Sequence, residues 1–416
     1  MSGFNTGMNR TAMRPQHSPL PHGRLIWLLG ALVAFGPLSI DLYLPALPAI
    51  AASLAAPVGL VQFTIGGFLA GFCLGMLLYG PLSDRYGRRP VLLAGIALYL
   101  LASLACTLAQ SAEQLIALRV LQAVGGGAGS VLGRAMVRDL FALDRAPQVL
   151  SLLHLVTMIA PLLAPLLGGW LLLAAGWRAL FLALALFGAV ILALVVWRLP
   201  ETHPPEKRAA QSLGAAFRGY GRVMGDVPSL GYLLALGLTF GAMFAYITGS
   251  PFVYIDYFGV PAQHYGWLFG LNIAAVIVLT LLNKRLAQRH SPDTLLQWQT
   301  AAVALAGSTL WLAGAGSLPA VVLPLLLSVG LTGSIGPNCM ARLLQRHADR
   351  AGAAMALAAS GQFALGMLAS ALVAWLHDGS PRAMCLVVAL FGCGAWLGLQ
   401  LSRLPAARQQ ATSSPL

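Results

Sequence analysis

Gly80-Pro81-Leu82-Ser83-Asp84-Arg85-Tyr86-Gly87-Arg88-Arg89-Pro90 is a short run dense in charge, set between two long apolar stretches. Gly80 and Gly87 accept backbone angles that a Cβ forbids, so the run reads as a loop that reverses the chain within its own length. Its charges cannot lie in hydrocarbon, where each would cost about 2.5–3.5 kcal/mol on insertion scales. Three arginines in so short a connection favour the cytoplasmic side of a membrane. Topology is counted outward from there.

The composition agrees. The chain has 416 residues, of which 58% are hydrophobic and 9% charged, and its mean hydropathy is +0.79. Soluble domains carry roughly 25% charged residues, so water is not the main solvent here. A net charge of +13 raises the question of nucleic acid, but the basic residues are scattered in short clusters between apolar runs and read as topology markers. Nucleic acid is not expected as a partner. Five cysteines, widely spaced, outline neither a disulfide frame nor a metal site.

A spanning helix needs about 20 apolar residues. The sequence supplies twelve such runs, near 25–47, 59–79, 90–110, 114–137, 148–174, 178–198, 230–253, 264–283, 294–314, 318–341, 352–376 and 382–402. With both termini cytoplasmic, every Lys and Arg except Arg119, Arg178 and Arg382 falls on the inner side, the bias that the positive-inside rule demands. Residues 199–229, with Pro200, Pro204, Pro205 and mixed charge, read as a cytoplasmic linker between two bundles of six helices, 25–198 and 230–402. Residues 1–24, with three arginines, no acid and several prolines, read as a disordered cytoplasmic tail, and 403–416 as a second tail. The expected fold is all-α, multi-pass and pseudo-symmetric.

Charges within a span are functional candidates because they are expensive. Asp41 lies in Pro37-Leu-Ser-Ile-Asp41-Leu-Tyr43-Leu-Pro45, about 24 Å of helix from the inner end. It is either a functional carboxylate in the outer half or an acid snorkelling to the outer surface. Arg119, in Arg119-Val-Leu-Gln122-Ala-Val-Gly125, stands about 9 Å inside the outer end of the fourth span, a depth compatible with Asp41. The alternative is a structural cation reaching outward on its long stem. Burial disfavours the charge of a lone aspartate and a nearby arginine favours it. Moving the arginine relative to the aspartate would therefore load and release a proton, and a cationic or polar substrate at the same carboxylate would expel it. Asp41 and Arg119 are the expected proton-coupling pair. Tyr43, Gln122, Tyr246, Phe252, Asn272, Asn338 and Gln362 are further polar or aromatic positions in spans and candidates for a substrate cavity. His154, near an inner helix end, reads as a relay or a packing histidine.

Several of these stretches resemble the major facilitator superfamily. Gly80, Leu82, Asp84, Arg85, Gly87, Arg88 and Arg89 match its G-x-L-x-D-R-x-G-R-R loop, and Arg119 to Ala123 its R-x-x-Q-G motif with alanine for the glycine. Pro161 to Gly169 is similar to the G-P-x-x-G-G motif of its antiporters, with Ala164 at the first glycine and Pro165, Gly168 and Gly169 retained. Residues 37–48, 244–252 and 336–338 resemble the bicyclomycin-resistance (Bcr/CflA) branch of drug:proton antiporters. The resemblance implies two related bundles around a central cavity, a proton-linked role for Arg119, and a conformational latch at Gly80, Asp84, Arg85, Gly87, Arg88 and Arg89 in which the aspartate engages the facing bundle. It also implies a monomeric exporter of small amphipathic drugs in a bacterial inner membrane, driven by the proton gradient with no bound cofactor. Proton-coupled transport of a small metabolite is the alternative, kept open by the departures at Ala123 and Ala164. An enzyme is not expected, since no cluster of His, Asp or Cys gathers at one depth.

Overall fold

A chain surrounded by lipid must satisfy its backbone polar groups internally, which leaves helices or a closed barrel. The computed structural model describes residues 22–142, 144–204, 206, 213–313 and 316–404, and among them there is no strand. The expected tails, 1–24 and 403–416, fall almost wholly outside the described residues.

The helices are α1 (His22–Asp41), α2 (Leu47–Ser53), α3 (Val58–Tyr86), α4 (Arg88–Thr107), α5 (Ala112–Leu140), α6 (Ala146–Arg198), α7 (Leu213–Met224), α8 (Val227–Pro251), α9 (Ala262–Leu286), α10 (Pro292–Ala313), α11 (Leu318–Gly330), α12 (Thr332–Arg346), α13 (Ala351–Trp375) and α14 (Arg382–Gln400). Among the described residues, ten helical segments are long and apolar enough to cross a membrane. One of them, α6, has 53 residues and is broken at Gly176, where φ is 76°. Unbroken it would run about 80 Å, against a hydrocarbon core of about 30 Å. The break therefore makes two rods of it. The helix α10 is not among the ten, because Gln297, Gln299, Thr300, Ser308 and Thr309 dilute its apolar residues.

One sequence expectation needs correction. Gly80–Tyr86 is the last part of α3, and Pro81 lies inside that helix. The chain reverses at Gly87 alone, whose φ of 98° suits glycine. The helix tolerates both residues: an added side chain at Gly80 would meet nothing within 4 Å, and the Leu77 carbonyl, which Pro81 deprives of its i+4 donor, accepts from the Tyr220 hydroxyl of α7 at 3.4 Å. The described residues of 199–229 are tied to the helices on either side. Glu201 accepts the backbone N–H groups of Arg88 (2.9 Å) and Arg89 (3.3 Å) at the start of α4, and Asp226 already caps α8 through the Ser229 N–H at 3.2 Å.

The first group of packed helices is α1, α3, α4, α5 and α6; the second is α8 to α14. The groups meet along α3 with α13 and α6 with α9. One hydrophobic core runs through the first group and into the second around Tyr246, Phe269, Val321 and Met384. A separate core, around Tyr232, Leu296, Leu343 and Leu399, holds the second group at the Gly87 end. The two groups thus share packing at the Gly176 end and have distinct interiors at the Gly87 end. Exposed Trp27, Trp197 and Trp298 ring one end, and Trp170, Trp267 and Trp375 the other, as interfacial aromatic belts do.

Candidate functional site: two buried charges where the groups meet

Arg119 is fully buried on α5, and a guanidinium there must find acceptors for its fork of N–H groups. Nη2 donates to the Ser39 carbonyl of α1 at 2.9 Å and Nη1 to Gln122 Oε1 at 2.5 Å, one turn along α5. Gln122 Nε2 donates in turn to Ser103 Oγ at 2.8 Å, and Ser103 Oγ to the Tyr99 carbonyl at 2.7 Å. The Tyr99 hydroxyl closes the ring on Ser39 Oγ at 2.7 Å. The guanidinium lies 4.3 Å from the ring centroids of both Tyr43 and Phe68, contacts worth about 2 kcal/mol each when desolvated. Tyr43 is itself pinned by Thr64 at 2.8 Å. Only Arg119 Nε lacks an acceptor, and no carboxylate touches the cation among the described residues.

Asp41 is the last residue of α1 and is 4% exposed. It follows Ser39 by two residues, about 200° around the helix. The helix therefore turns Ser39 into the first group, toward Tyr99, while Asp41 faces away from that network. On its side stands Tyr265 of α9, close enough to interact electrostatically, whose hydroxyl pairs with Ser250 of α8 at 2.9 Å. No hydrogen bond or ion pair satisfies the Asp41 carboxyl among the described residues. Asp41 thus lies on the stretch of α1 that Arg119 of α5 contacts through Ser39, without pairing with the arginine.

The seat of Asp41 depends on α6. A Cβ at Gly168 would collide with the Leu42 carbonyl oxygen and press on Pro45. A Cβ at Gly169 would lie 3.1 Å from the Ala262 carbonyl at the start of α9. Pro165 and Ala164, one turn earlier, are buried. This run of α6 therefore lets the end of α1 and the start of α9 approach together, which is the packing role small residues serve in membranes. Ala123, at the place of the motif glycine, rests against Gly71 of α3.

The remaining candidates do not gather in one place. Tyr43 and Gln122 belong to the Arg119 network. Tyr246 accepts from Asn272 Nδ2 at 3.1 Å in the second group, and Asn272 Oδ1 is buried with no donor. Phe252 lies near His377, with ring centroids 6.0 Å apart, at the Gly176 end. Asn338 donates to Asn283 (3.2 Å) and Gln299 (3.3 Å) toward the Gly87 end. Gln362 is half-buried on α13, and His154 is exposed on α6. Sequence reasoning missed Ser39, Tyr99, Ser103 and Phe68, which hold the arginine. The signal was available only in part: Tyr99 and Ser103 are spaced four apart on one helix face.

At the Gly87 end, Arg88 pairs with Asp84 at 2.5 Å and with Asp139 at 3.2 Å. Arg88 Nη1 also donates to Ser83 Oγ at 2.5 Å, Thr202 donates to Asp139 at 3.2 Å, and Arg89 donates to the Val196 carbonyl at 2.7 Å. Arg85 is exposed beside Tyr86. All these contacts stay within the first group and its linker. The second group has its own set, Arg342 with Asp293, and Arg346 with Asp226 at 2.9 Å. The order of charge is reversed: a cation at the start of α4 faces an acid at the end of α5, whereas an acid at the start of α10 faces a cation on α12.

Comparison with known proteins agrees with this architecture. The family model described as Major Facilitator Superfamily matches residues 28–371. An uncharacterised MFS-type transporter, YdgK of Bacillus subtilis, is 36% identical over 93% of this chain and 98% of its own. A bicyclomycin resistance protein homolog of Haemophilus influenzae is 35% identical over 89% of this chain and 92% of its own. Among solved structures, a D-xylose–proton symporter superposes with a TM-score of 0.68 at 17% identity, covering 91% of this chain and 96% of that one.

Proposed function

The chain belongs to the major facilitator superfamily, in the branch of the bicyclomycin-resistance proteins, and from that premise we propose that it is a proton-coupled antiporter exporting small amphipathic compounds. It crosses a bacterial inner membrane twelve times, as bundles 25–198 and 230–402 joined by the linker 199–229, and works as a monomer with both termini in the cytoplasm. The Gly87 end is the cytoplasmic one, because the basic residues crowd there. With the groups packed together at the other end, the conformation described here is the one that opens inward.

One observation carries the reading: Asp41 is a buried acid with no cationic partner among the described residues, placed where the first group meets the second. An ionised carboxyl there needs a positive charge beside it to offset its desolvation. A proton can supply that charge, and so can the amine of a substrate. Whichever arrives displaces the other, and the displacement is the exchange. Arg119 is fixed by its own partners and holds the same stretch of α1 from the other side. Its spare Nε–H leaves it one donor to offer when α1 moves. Gly168 and Gly169 keep the contact of α6 with α1 and α9 thin enough for the groups to rock. At the inner end Asp84, paired with Arg88 but with its side chain 47% exposed, turns to engage the second group when that end closes.

The test is made on energised everted vesicles, whose lumen is acidified by respiration. Amphipathic drugs added outside are expected to collapse part of the acidification with the native protein and none of it with Asp41→Asn. If no drug in a broad panel changes the gradient, or if Asp41→Asn still exchanges, the antiport reading fails. A metabolite that enters with protons would leave the gradient untouched when added on that side.

A further inference from the structure

Gln62 of α3 is 1% exposed. Its Nε2 makes one long hydrogen bond, to the Thr248 carbonyl at 3.4 Å, and its Oε1 is buried with no donor. A buried carbonyl left unpaired costs about 1–3 kcal/mol, so it invites a donor from outside the chain. Gln62 lines a cavity of about 190 Å³ at the Gly176 end. Val58 and Gln62 form one wall from the first group; Phe252, Asp256, His377 and Met384 form the other from the second. Apolar cavities of about 150 Å³ hold one benzene ring. This one has room for a ring and a small polar head.

The chemistry of the walls selects that head. Asp256 offers a carboxylate and Gln62 an unused carbonyl, both acceptors. The imidazole of His377, in the connection between α13 and α14, is held below its ordinary pKa by burial, so it is uncharged at neutral pH and does not repel a cation. Asp378 beside it is kept ionised by Ser380, which donates through Oγ at 2.7 Å and N at 2.9 Å. Arg382 is not among the lining residues. Phe252 and Met384 supply the apolar floor, where a ring face or a thioether suits an aromatic or alkyl body.

The geometry points to a second ligand site, distinct from Asp41: a cleft between the two groups at the Gly176 end that takes a compact organic cation, its N–H donors shared between Gln62 Oε1 and the Asp256 carboxylate and its body on Phe252 and Met384. The site stands whether or not Asp41 couples protons. An occupant would touch both groups at once, so it would be bound in the conformation in which this end is closed.

The probe is 4-fluorobenzylammonium, titrated against purified protein at pH 7 and read by ligand-observed fluorine NMR. The background is Asp41→Asn, which removes the other carboxylate and makes the result independent of transport. Saturable binding is expected there, weakened about tenfold or more by Asp256→Asn and similarly by Gln62→Leu, the range for losing a charge-assisted hydrogen bond. Val58→Trp, which fills the cleft from the first group, is expected to abolish it. 4-Fluorobenzyl alcohol is expected to bind at least about tenfold more weakly than the ammonium. The proposal is overturned if Asp256→Asn and Gln62→Leu leave the titration unchanged, if the alcohol binds as tightly, or if binding is present in the native protein and absent from Asp41→Asn. A native-like thermal melt of each variant separates lost binding from lost fold.

Discussion

Arg119 and Asp41 are both buried charges that border the same stretch of α1, yet one is enclosed by partners and the other has none among the described residues. The guanidinium is bonded to Ser39 and Gln122 and stacked between Tyr43 and Phe68. The carboxyl meets no donor and faces Tyr265 of the other group. A charge whose field is already balanced by fixed dipoles does not need a mobile ion; a charge without them does. The arginine holds α1 in place, and the aspartate is the group that the proposed exchange requires to change state. An arrangement in which the two neutralise each other directly would have been tighter and less useful for exchange.

The strongest way to break the comparison is to remove the free charge. Asp41→Asn keeps the shape and deletes the ionisable group, so drug-dependent proton movement is expected to fall to background while the thermal melt in detergent stays within about 1 kcal/mol of native or improves, because a buried unpaired acid is itself costly. A protein that melts much earlier would show that the carboxyl is structural. Next comes the enclosed charge. Arg119→Met leaves Gln122 Oε1 and the Ser39 carbonyl without their donor, at about 1–3 kcal/mol each, so here a lower melting temperature is expected together with loss of transport. Arg119→Lys is expected to recover only part of the stability, since an ammonium cannot span two acceptors and stack on two rings as a planar fork does. Full recovery by lysine would reduce the site to a point charge.

A subtler change moves Asp41 without altering it. Gly168→Ala drives a Cβ into the Leu42 carbonyl, one residue past the aspartate, and overpacking of this kind costs about 1–3 kcal/mol. Transport is expected to drop severalfold, with insertion into the membrane unimpaired. Gly352→Ala on α13 is the matched control, because nothing lies within 4 Å of the added Cβ and alanine is the better helix former by about 1 kcal/mol. If both variants behaved alike, the position of the α1 end would not matter.

Much of this was legible beforehand because hydropathy and charge bias are properties of composition. The apolar runs, the clustering of basic residues between them and the isolation of Asp41 and Arg119 within spans are all visible in the sequence. What the sequence withheld are relations set by rotation and by long-range contact. The direction in which Asp41 points follows from where α1 packs, so its separation from Arg119 was hidden. Glu201 satisfies the start of α4 from 113 residues away, and nothing in its neighbourhood of prolines and mixed charge announces that. The opening motif misled in one respect: glycine and proline at positions 80 and 81 look like loop residues, but a spanning helix absorbs both and turns only at Gly87. The scattered fate of Tyr246, Phe252, Asn272, Asn338 and Gln362 has the same origin. Polarity within a span marks a residue as unusual, while depth and facing decide which residues share a site.

A third acid sharpens the contrast with Asp41 by having everything it lacks. Asp226, at the start of α8 and outside the spans, accepts both Nε (2.9 Å) and Nη2 (3.0 Å) of Arg346 and also the Ser229 hydroxyl at 2.5 Å. The Arg346 hydrogen bonds, outweighing partial desolvation and helped by Ser229, lower its pKa from 3.8 to about 2. A carboxyl depressed in the folded state stabilises the fold above its unfolded pKa and loses that contribution as pH falls through the folded one. The window therefore runs from about pH 4 down to about pH 2. Because solvent reaches the pair, the effect is expected to be about 1 kcal/mol. Melting temperature followed from pH 5 to pH 2 is expected to fall more steeply for the native protein than for Asp226→Asn, which should start lower and converge with it at the acid end. Parallel curves would mean that Asp226 keeps its proton affinity on folding, and that partners alone do not separate a structural acid from an exchanging one.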